Sequence, residues 1–345
     1  MVYISSVDHP FRSGEGNMSV FYLETGSTDP CYNLAFEQYV LEHRTEGDWL
    51  MLWQNANAVI IGRNQNTAEE INPAFIQEHG IAVVRRMTGG GAVYHDLGNL
   101  NYSFITDAGD AALQNLSRFT QPVCRALETM GVAAESSGRN DILVDGKKVS
   151  GVAQRVHQGR ILHHGTLLFD SDRDMIAGAL RADPAKFASK STKSVRSRVG
   201  NLKDYLPEGT TIGQFWEALR RELMDEEARP ASLTREELSE VRHLAESRYR
   251  TWEWNYGKSP AYAVQNRTRY PGGTLDVRMN VQRGILREIR FFGDFMSTAP
   301  LDALAEELQG VPRERKAVEE VLSHYELPSL FGTITEEEIL SSILD

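Results

Sequence analysis

The sequence predicts an α+β protein of mixed sheets and helices, closed by a second, smaller α+β unit at the C-terminal end. Three observations carry this. Short apolar runs ended by turn residues alternate with helical stretches over the first two-thirds of the chain. Two consecutive hairpin patterns lie between Asn140 and Phe169, and the character of the chain changes around residues 230–255. A length of 345 residues favours two domains, assigned here as 1–248 and 249–345. A single continuous domain is the alternative.

In order, WLMLWQ from Trp49, AVIIG from Ala58 and IAVVRR from Ile81 read as strands, because each is a short apolar run bounded by turn residues. NLNYSFI from Asn99 alternates as a strand does. Leu116, Phe119, Val123, Leu127 and Met130 recur at helical spacing, predicting a helix over 113–130. The stretch DILV-DG-KKVSGVA holds Asp145-Gly146, a strong signal for a two-residue hairpin loop. That loop would pair Val144 with Lys147, Leu143 with Lys148 and Asp141 with Ser150. A three-residue loop at His157-Gln158-Gly159 would then set Ser150 opposite Thr166 and Val152 opposite His164. Paired residues share a sheet face, so Asp141, Lys148, Ser150, His164 and Thr166 are expected on one side. Farther along, LTREELSEVRHLAESRYR reads as a polar helix, followed by Trp252, Trp254 and Tyr256. TLDVRMNV and ILREIRFF form a hairpin around Gln282-Arg283-Gly284, with helices after Pro300.

Composition narrows the class. Hydrophobic residues at 41% and charged residues at 25% suit a globular protein with a filled core. A net charge of −11 argues against a general binder of nucleic acid or anionic membrane. No apolar run follows a basic start, and none is long enough to span a bilayer, so a cytosolic protein is expected. The two cysteines, Cys31 and Cys124, make a disulfide framework or a thiolate metal site improbable, and both read as small buried thiols.

The sharpest feature is RRMTGGGAVYHD, from Arg85 to Asp96, which follows a strand. Three glycines let the backbone take positive φ and let a ligand reach N–H groups with no Cβ in the way, and successive N–H groups in such a bend form an anion-binding concavity. Gly89, Gly90 and Gly91 are therefore candidates for a phosphate cradle, and Arg86 can add a fork of donors. The segment matches neither GxxxxGK[ST] nor GxGxxG. A surface turn is the plain alternative. Lys148 lies inside an apolar strand, where it is either a solvent-facing residue or, given its polar company, a fixed ammonium able to stabilise a transferring phosphoryl group. His163 and His164 are adjacent on a strand and so face opposite sides, which disfavours joint metal chelation. His95 reads as either structural or ligand-contacting. Lys193, Arg196 and Arg198 concentrate positive charge that could reach phosphates.

Together these segments resemble the lipoate–protein ligase A family. DPCYNLAFEQYVLE, AVIIGRNQN, RRMTGGGAVYHDLGNLNYSF, SGRNDILVDGKKVSGVAQR, HHGTLLF and KSVRSRVGNL stand in the family order, and WEWNYGKSPAY opens its accessory domain. The resemblance implies a catalytic domain of the biotin/lipoate-ligase superfamily and a small C-terminal domain. It implies ATP, Mg²⁺ and lipoate as reactants, and lipoyl-AMP as the activated species. Acceptors would be apo lipoyl domains of 2-oxoacid dehydrogenase E2 subunits and the glycine cleavage H protein, served by a monomer. By position, Arg86, Gly91, Ala92, Val93 and Tyr94 match nucleotide-contacting residues, and Lys148 matches the essential lysine. Asn140 and Asp141 match residues near the adenylate and metal, with Ser150 beside them on the expected face. Arg86, Thr88, His95, Lys148, His164 and Thr166 match the lipoate pocket. Three other readings stay open: an octanoyl- or lipoyl-transferase working without ATP through a cysteine thioester, a non-catalytic lipoyl-domain-binding protein, and a ligase preferring octanoate. Biotin ligase is disfavoured, since its glycine/arginine signature is missing where RRMTGGGAVYHD stands.

Overall fold

A computed structural model describes residues 20–109, 116–137, 140–181, 199–224, 228–256 and 264–344. Lys193, Arg196 and Arg198 lie outside them.

The large sheet has eight strands: β1 (Val20–Glu24), β2 (Asp48–Trp53), β6 (Asn99–Asp107), β7 (Ala134–Ser137), β8 (Asp141–Val144), β9 (Lys147–His157), β10 (Arg160–Leu168) and β11 (Arg229–Pro230), in the spatial order β11-β1-β2-β6-β10-β9-β8-β7. β1 runs parallel to β11 and β2, and the remaining neighbours are antiparallel. A small sheet sets β3 (Ala58–Ile61) between β4 (Ala82–Arg85), parallel, and β5 (Val93–His95), antiparallel. Beyond residue 264, the antiparallel β12 (Val264–Tyr270), β13 (Gly273–Gln282) and β14 (Ile285–Gly293) carry the C-terminal helices on a core of their own, with Val277, Phe295 and Phe331 at its centre. The mixed α+β reading and the smaller C-terminal unit both hold.

Helix Pro30–His43 starts where sequence chemistry directs. The Asp29 carboxylate accepts from Cys31 N at 3.0 Å, and Pro30 fills the first turn. This helix packs with Trp49, Met51 and Ile60 in one apolar cluster, while Leu100, Tyr102 and Phe104 join a second on the opposite face of the large sheet. β6 is therefore covered on both sides. Its alternating residues Asn99, Asn101 and Ser103 are buried polar groups rather than a wet face. The polar helix Arg235–Leu244 opens with a capping box between Thr234 and Glu237 and ends in a π turn at Ala245–Tyr249. Val241 and Tyr249 anchor it to the first unit. The expected helix after Leu113 is described from Ser117 to Thr129.

Both hairpin loops, and the one at Arg283-Gly284, have two residues with positive φ: Asp145 (50°) and Gly146 (70°), Gln158 (47°) and Gly159 (79°), Arg283 (54°) and Gly284 (75°). The loop at 158–159 is thus one residue shorter than expected, and Val152 pairs with Gly165 and Ala153 with His164. A second correction comes from a bulge in β9. Leu143 pairs with Lys148, but Ile142 pairs with Ser150 and Asp141 with Gly151. Val149 and Ser150 together oppose one residue, and both turn inward toward the core. The expected Asp141–Ser150–Thr166 row is replaced by Asp141, Gly151 and Thr166. Gly151 N donates to Thr166 Oγ1 at 3.2 Å.

Candidate functional site

Between the small sheet, β9 and β10 lies a cavity that opens to solvent and encloses, open solvent included, about 590 Å³ of empty space. Leu34, Trp53, Ile60, Val93 and Val152 give it apolar walls. Its polar groups come from two directions. Arg86, Gly90, Gly91 and His95 belong to or flank the glycine bend, whereas Asn140, Lys148, His164 and Thr166 come from the hairpins. Ala92 also lines it. The cationic strand residue and the glycine bend therefore share one chamber.

Arg86 is buried and spends four hydrogen bonds on the protein. Its Nε donates to Thr88 Oγ1 (2.9 Å), Nη1 to Ile60 O (3.2 Å), and Nη2 to Gly89 O (2.6 Å) and Gly91 O (2.9 Å). A guanidinium carries five donors. Most of this fork thus clamps the bend from beneath, and its charge stays at the cavity wall. Burial lowers its pKa to about 10, which leaves it charged at neutral pH. Arg85 is equally committed elsewhere: its Nη1 donates to the carbonyls of Gly62, Arg63 and Gln65, and its Nε to Trp254 O. It staples the loop after β3 to the segment at 254.

A buried polar chain supports the bend. Trp53 Nε1 donates to Ser103 Oγ (2.9 Å), which donates to Glu37 Oε1 (2.6 Å). Glu37 accepts from His164 Nδ1 at 2.9 and 3.0 Å, and His164 Nε2 meets Thr88 Oγ1 at 2.8 Å. Thr88 is therefore a link behind the wall. A second chain fixes His95. Asn33 Nδ2 donates to Asn55 Oδ1 (2.9 Å), which leaves the Asn55 amide N–H to donate to His95 Nδ1 (3.1 Å). The ring proton then sits on Nε2, buried without a protein partner. Burial first, then the charge of Arg86, holds the His95 pKa down to about 3. His95 is thus a neutral N–H donor at the cavity.

Lys148 reaches Asp141 Oδ1 at 2.7 Å. Ser150 is turned away from the cavity, fully buried beside Tyr102. Tyr94 points away as well, donating to Asn57 Oδ1 at 2.9 Å. Gly89 faces the C-terminal unit, where an added Cβ would lie 2.7 Å from Ser297 N. Gly90 N donates to Phe295 O at 3.2 Å. His163, on the face opposite His164, stacks on Phe119 with centroids 4.7 Å apart. Neither cysteine lines the cavity. Cys31 is buried against Tyr249 O, and burial raises both thiols to about 11.

Sequence reading missed Glu37, Asn55 and Gly151. Glu37 stands in the apolar run NLAFEQYVL, and a carboxylate in such a run was the available signal.

The sequence profile of the lipoyl protein ligase A/B catalytic domain matches residues 29–224, and that of the bacterial lipoate protein ligase C-terminus matches 259–343. The chain belongs to the lipoate–protein ligase family. It is 42% identical to the lipoate-protein ligase LplJ of Bacillus subtilis over 320 residues, 91% of this chain and 97% of that one. Among solved structures, the ligase resembles the archaeal bi-partite lipoate protein ligase of Thermoplasma acidophilum, described together with its E2 lipoyl domain. That match has a TM-score of 0.62 and 31% identity over 72% of this chain and 99% of that one. It also resembles a lipoate-protein ligase A bound with ATP, with a TM-score of 0.58 and 29% identity over 70% and 98%. As a lipoate–protein ligase, this chain is an enzyme of the ligase class.

Proposed function

We propose that this ligase is ATP-dependent and works in two steps. A lipoate carboxylate oxygen attacks the α-phosphorus of ATP, forming the acyl–phosphate bond of lipoyl-AMP as the bond to pyrophosphate breaks. The ε-amine of an acceptor lysine then attacks the acyl carbon, an amide forms, and AMP leaves. The acceptors would be apo lipoyl domains of 2-oxoacid dehydrogenase E2 subunits and the glycine cleavage H protein. The reading places the work in a cytoplasmic monomer, with residues 1–248 catalytic and 249–345 accessory.

The observation that carries it is the shared chamber of Lys148 and the Arg86-clamped glycine bend. A carboxylate approaching a polyphosphate is repelled, and fixed positive charge lowers that barrier without reorganising in the reaction. Lys148 is assigned to the α-phosphate and the acyl carbonyl, and the backbone from Gly91 onward to the phosphates, since the Gly90 N–H is already given to Phe295 O. His95 and His164, with the apolar wall at Trp53 and Leu34, hold lipoate. Mg²⁺ fits a site with one carboxylate, Asp141, beside Asn140, because this ion takes few protein ligands and completes its shell with phosphate oxygens and water. No group of three or more metal-ligating His, Cys, Asp or Glu occurs among the described residues. When bound, Mg²⁺ would neutralise the departing pyrophosphate.

The test is to incubate the pure protein with ATP, Mg²⁺, lipoate and an apo lipoyl domain and to weigh the acceptor. A mass gain of one lipoyl group that requires ATP supports the reading. Acyl transfer without ATP that thiol-blocking reagents abolish would replace it with the transferase reading.

A further inference from the structure

We propose that Gly151 is a positioning residue for Lys148: its bare Cα is the seat across which the end of the lysine side chain lies, with Asp141 holding the ammonium in place. The inference rests on the role assigned to Lys148 above.

In a regular strand Lys148 and Gly151 would face opposite sides, since faces alternate residue by residue. The bulge at Val149 and Ser150 spends two residues on the core side and returns the chain to the cavity face at Gly151. Lys148 then folds along its own strand. A Cβ built on Gly151 would stand 2.9 Å from Lys148 Nζ, 3.1 Å from its Cε and 4.0 Å from Asp141 Oδ1. Asp141, paired opposite Gly151, meets the ammonium at 2.7 Å. The backbone of Lys148 is gripped independently, as Gly200 N donates to Lys148 O at 2.9 Å. Backbone and side chain are thus fixed by different partners, and only the side chain depends on the missing Cβ.

Gly151 has no need to be glycine for its own sake. Its φ is not positive, and the atoms nearest an added methyl are the flexible end of a lysine rather than backbone. Alanine should therefore be accepted by the strand, and what must yield is the ammonium. Displacing a reacting group by about 1 Å can cost about 100-fold in rate.

The experiment uses the full chain with Gly151→Ala, Asp141→Asn, Lys148→Ala and the Gly151→Ala/Lys148→Ala pair. Lipoate-dependent exchange of pyrophosphate into ATP should fall about 100-fold in Gly151→Ala through kcat, with the KM for lipoate and the melting temperature kept. Adding Gly151→Ala to Lys148→Ala should change the residual rate no further, the sign of one shared function. Independently of activity, acetylation of Lys148 by acetic anhydride, read by mass spectrometry, should quicken several-fold in both Gly151→Ala and Asp141→Asn. The side chains of Lys148 and Asp141 are 35% and 32% exposed at rest, so the reagent has access. Unchanged acetylation, or an equal loss of rate in both backgrounds, overturns the seat. If Gly151→Ala does not fold, acetylation of Asp141→Asn decides. Normal exchange in Lys148→Ala would topple the assigned role of Lys148 while leaving the acetylation result to judge Gly151.

Discussion

The imidazole of His164 donates through Nδ1 to both oxygens of the Glu37 carboxylate, at 2.9 and 3.0 Å, across 127 residues of sequence. Glu37 is fully buried and also accepts from Ser103. Removing it leaves two buried donors without a partner, each costing about 1–3 kcal/mol. Glu37→Ala should lower the melting temperature and weaken lipoate binding by roughly tenfold, the equivalent of about 1.4 kcal/mol. Titration calorimetry with lipoate measures this, and wild-type affinity would show that the His164 wall holds its shape without the carboxylate.

Asn55 decides which nitrogen of His95 carries the proton. In Asn55→Leu the ring loses the donor at Nδ1, and the proton should redistribute between the two nitrogens. Nitrogen-15 spectra of the labelled imidazole report the tautomer directly. Lipoate affinity should fall while ATP affinity is kept. An unaltered tautomer would assign its control to other neighbours.

Arg86 reaches Thr88, Ile60 and two carbonyls of the bend from three separate nitrogens, a task for a planar fork that a single ammonium cannot repeat. Arg86→Lys keeps the charge and should still depress pyrophosphate exchange by about 100-fold through misplacement of the bend. Near-normal exchange in the lysine variant would mean that charge alone suffices.

His95 and His163 are held neutral, with pKa values pushed down chiefly by burial, to about 3 for His95 and well below the usual value for His163. A histidine lowered in the fold binds its proton first in the unfolded chain. Its stabilisation is complete above the unfolded pKa near 6.5 and is lost as pH falls toward the folded value, at about 1.4 kcal/mol per pH unit for each ring. Denaturant melts from pH 7 to pH 4 should show this slope, and His163→Phe should remove one ring's share of it. His163 lies among Tyr102, Phe104 and Phe119 and meets Gln154 Nε2 at 3.0 Å, so none of these neighbours is a carboxylate that would offset its protonation. A flat profile would contradict the burial argument.

Much of this was legible in the sequence because it is local. Asp145-Gly146 specifies its own turn, and strand alternation alone separates His163 from His164. The helix start at Asp29-Pro30 likewise needs no distant partner. Face arithmetic gathered Lys148 with Asp141, His164 and Thr166 and was nearly right, whereas the meeting of Lys148 with the glycine bend was implied only by the family resemblance. The arithmetic missed the bulge at Val149 and the shorter loop at Gln158, and these two slips together exchanged Ser150 for Gly151. Glu37 and Asn55 were invisible for a different reason. Their partners are far away in the chain, and a buried polar residue reveals itself only when the fold supplies the other half of the bond. The role of Arg86 as a clamp belongs to the same class, because its acceptors are backbone carbonyls that no composition records.

The irregular strand has a practical meaning for protein engineering. Because two consecutive side chains are spent on the interior, the four positions Lys148 to Gly151 behave as one indivisible cassette. Grafting the lysine alone onto a regular β-ribbon would aim it alongside a neighbour bearing a side chain, and deleting one position would swing it into the hydrophobic layer. A designer seeking to move this chemistry to another scaffold must carry the kink together with the residue that uses it.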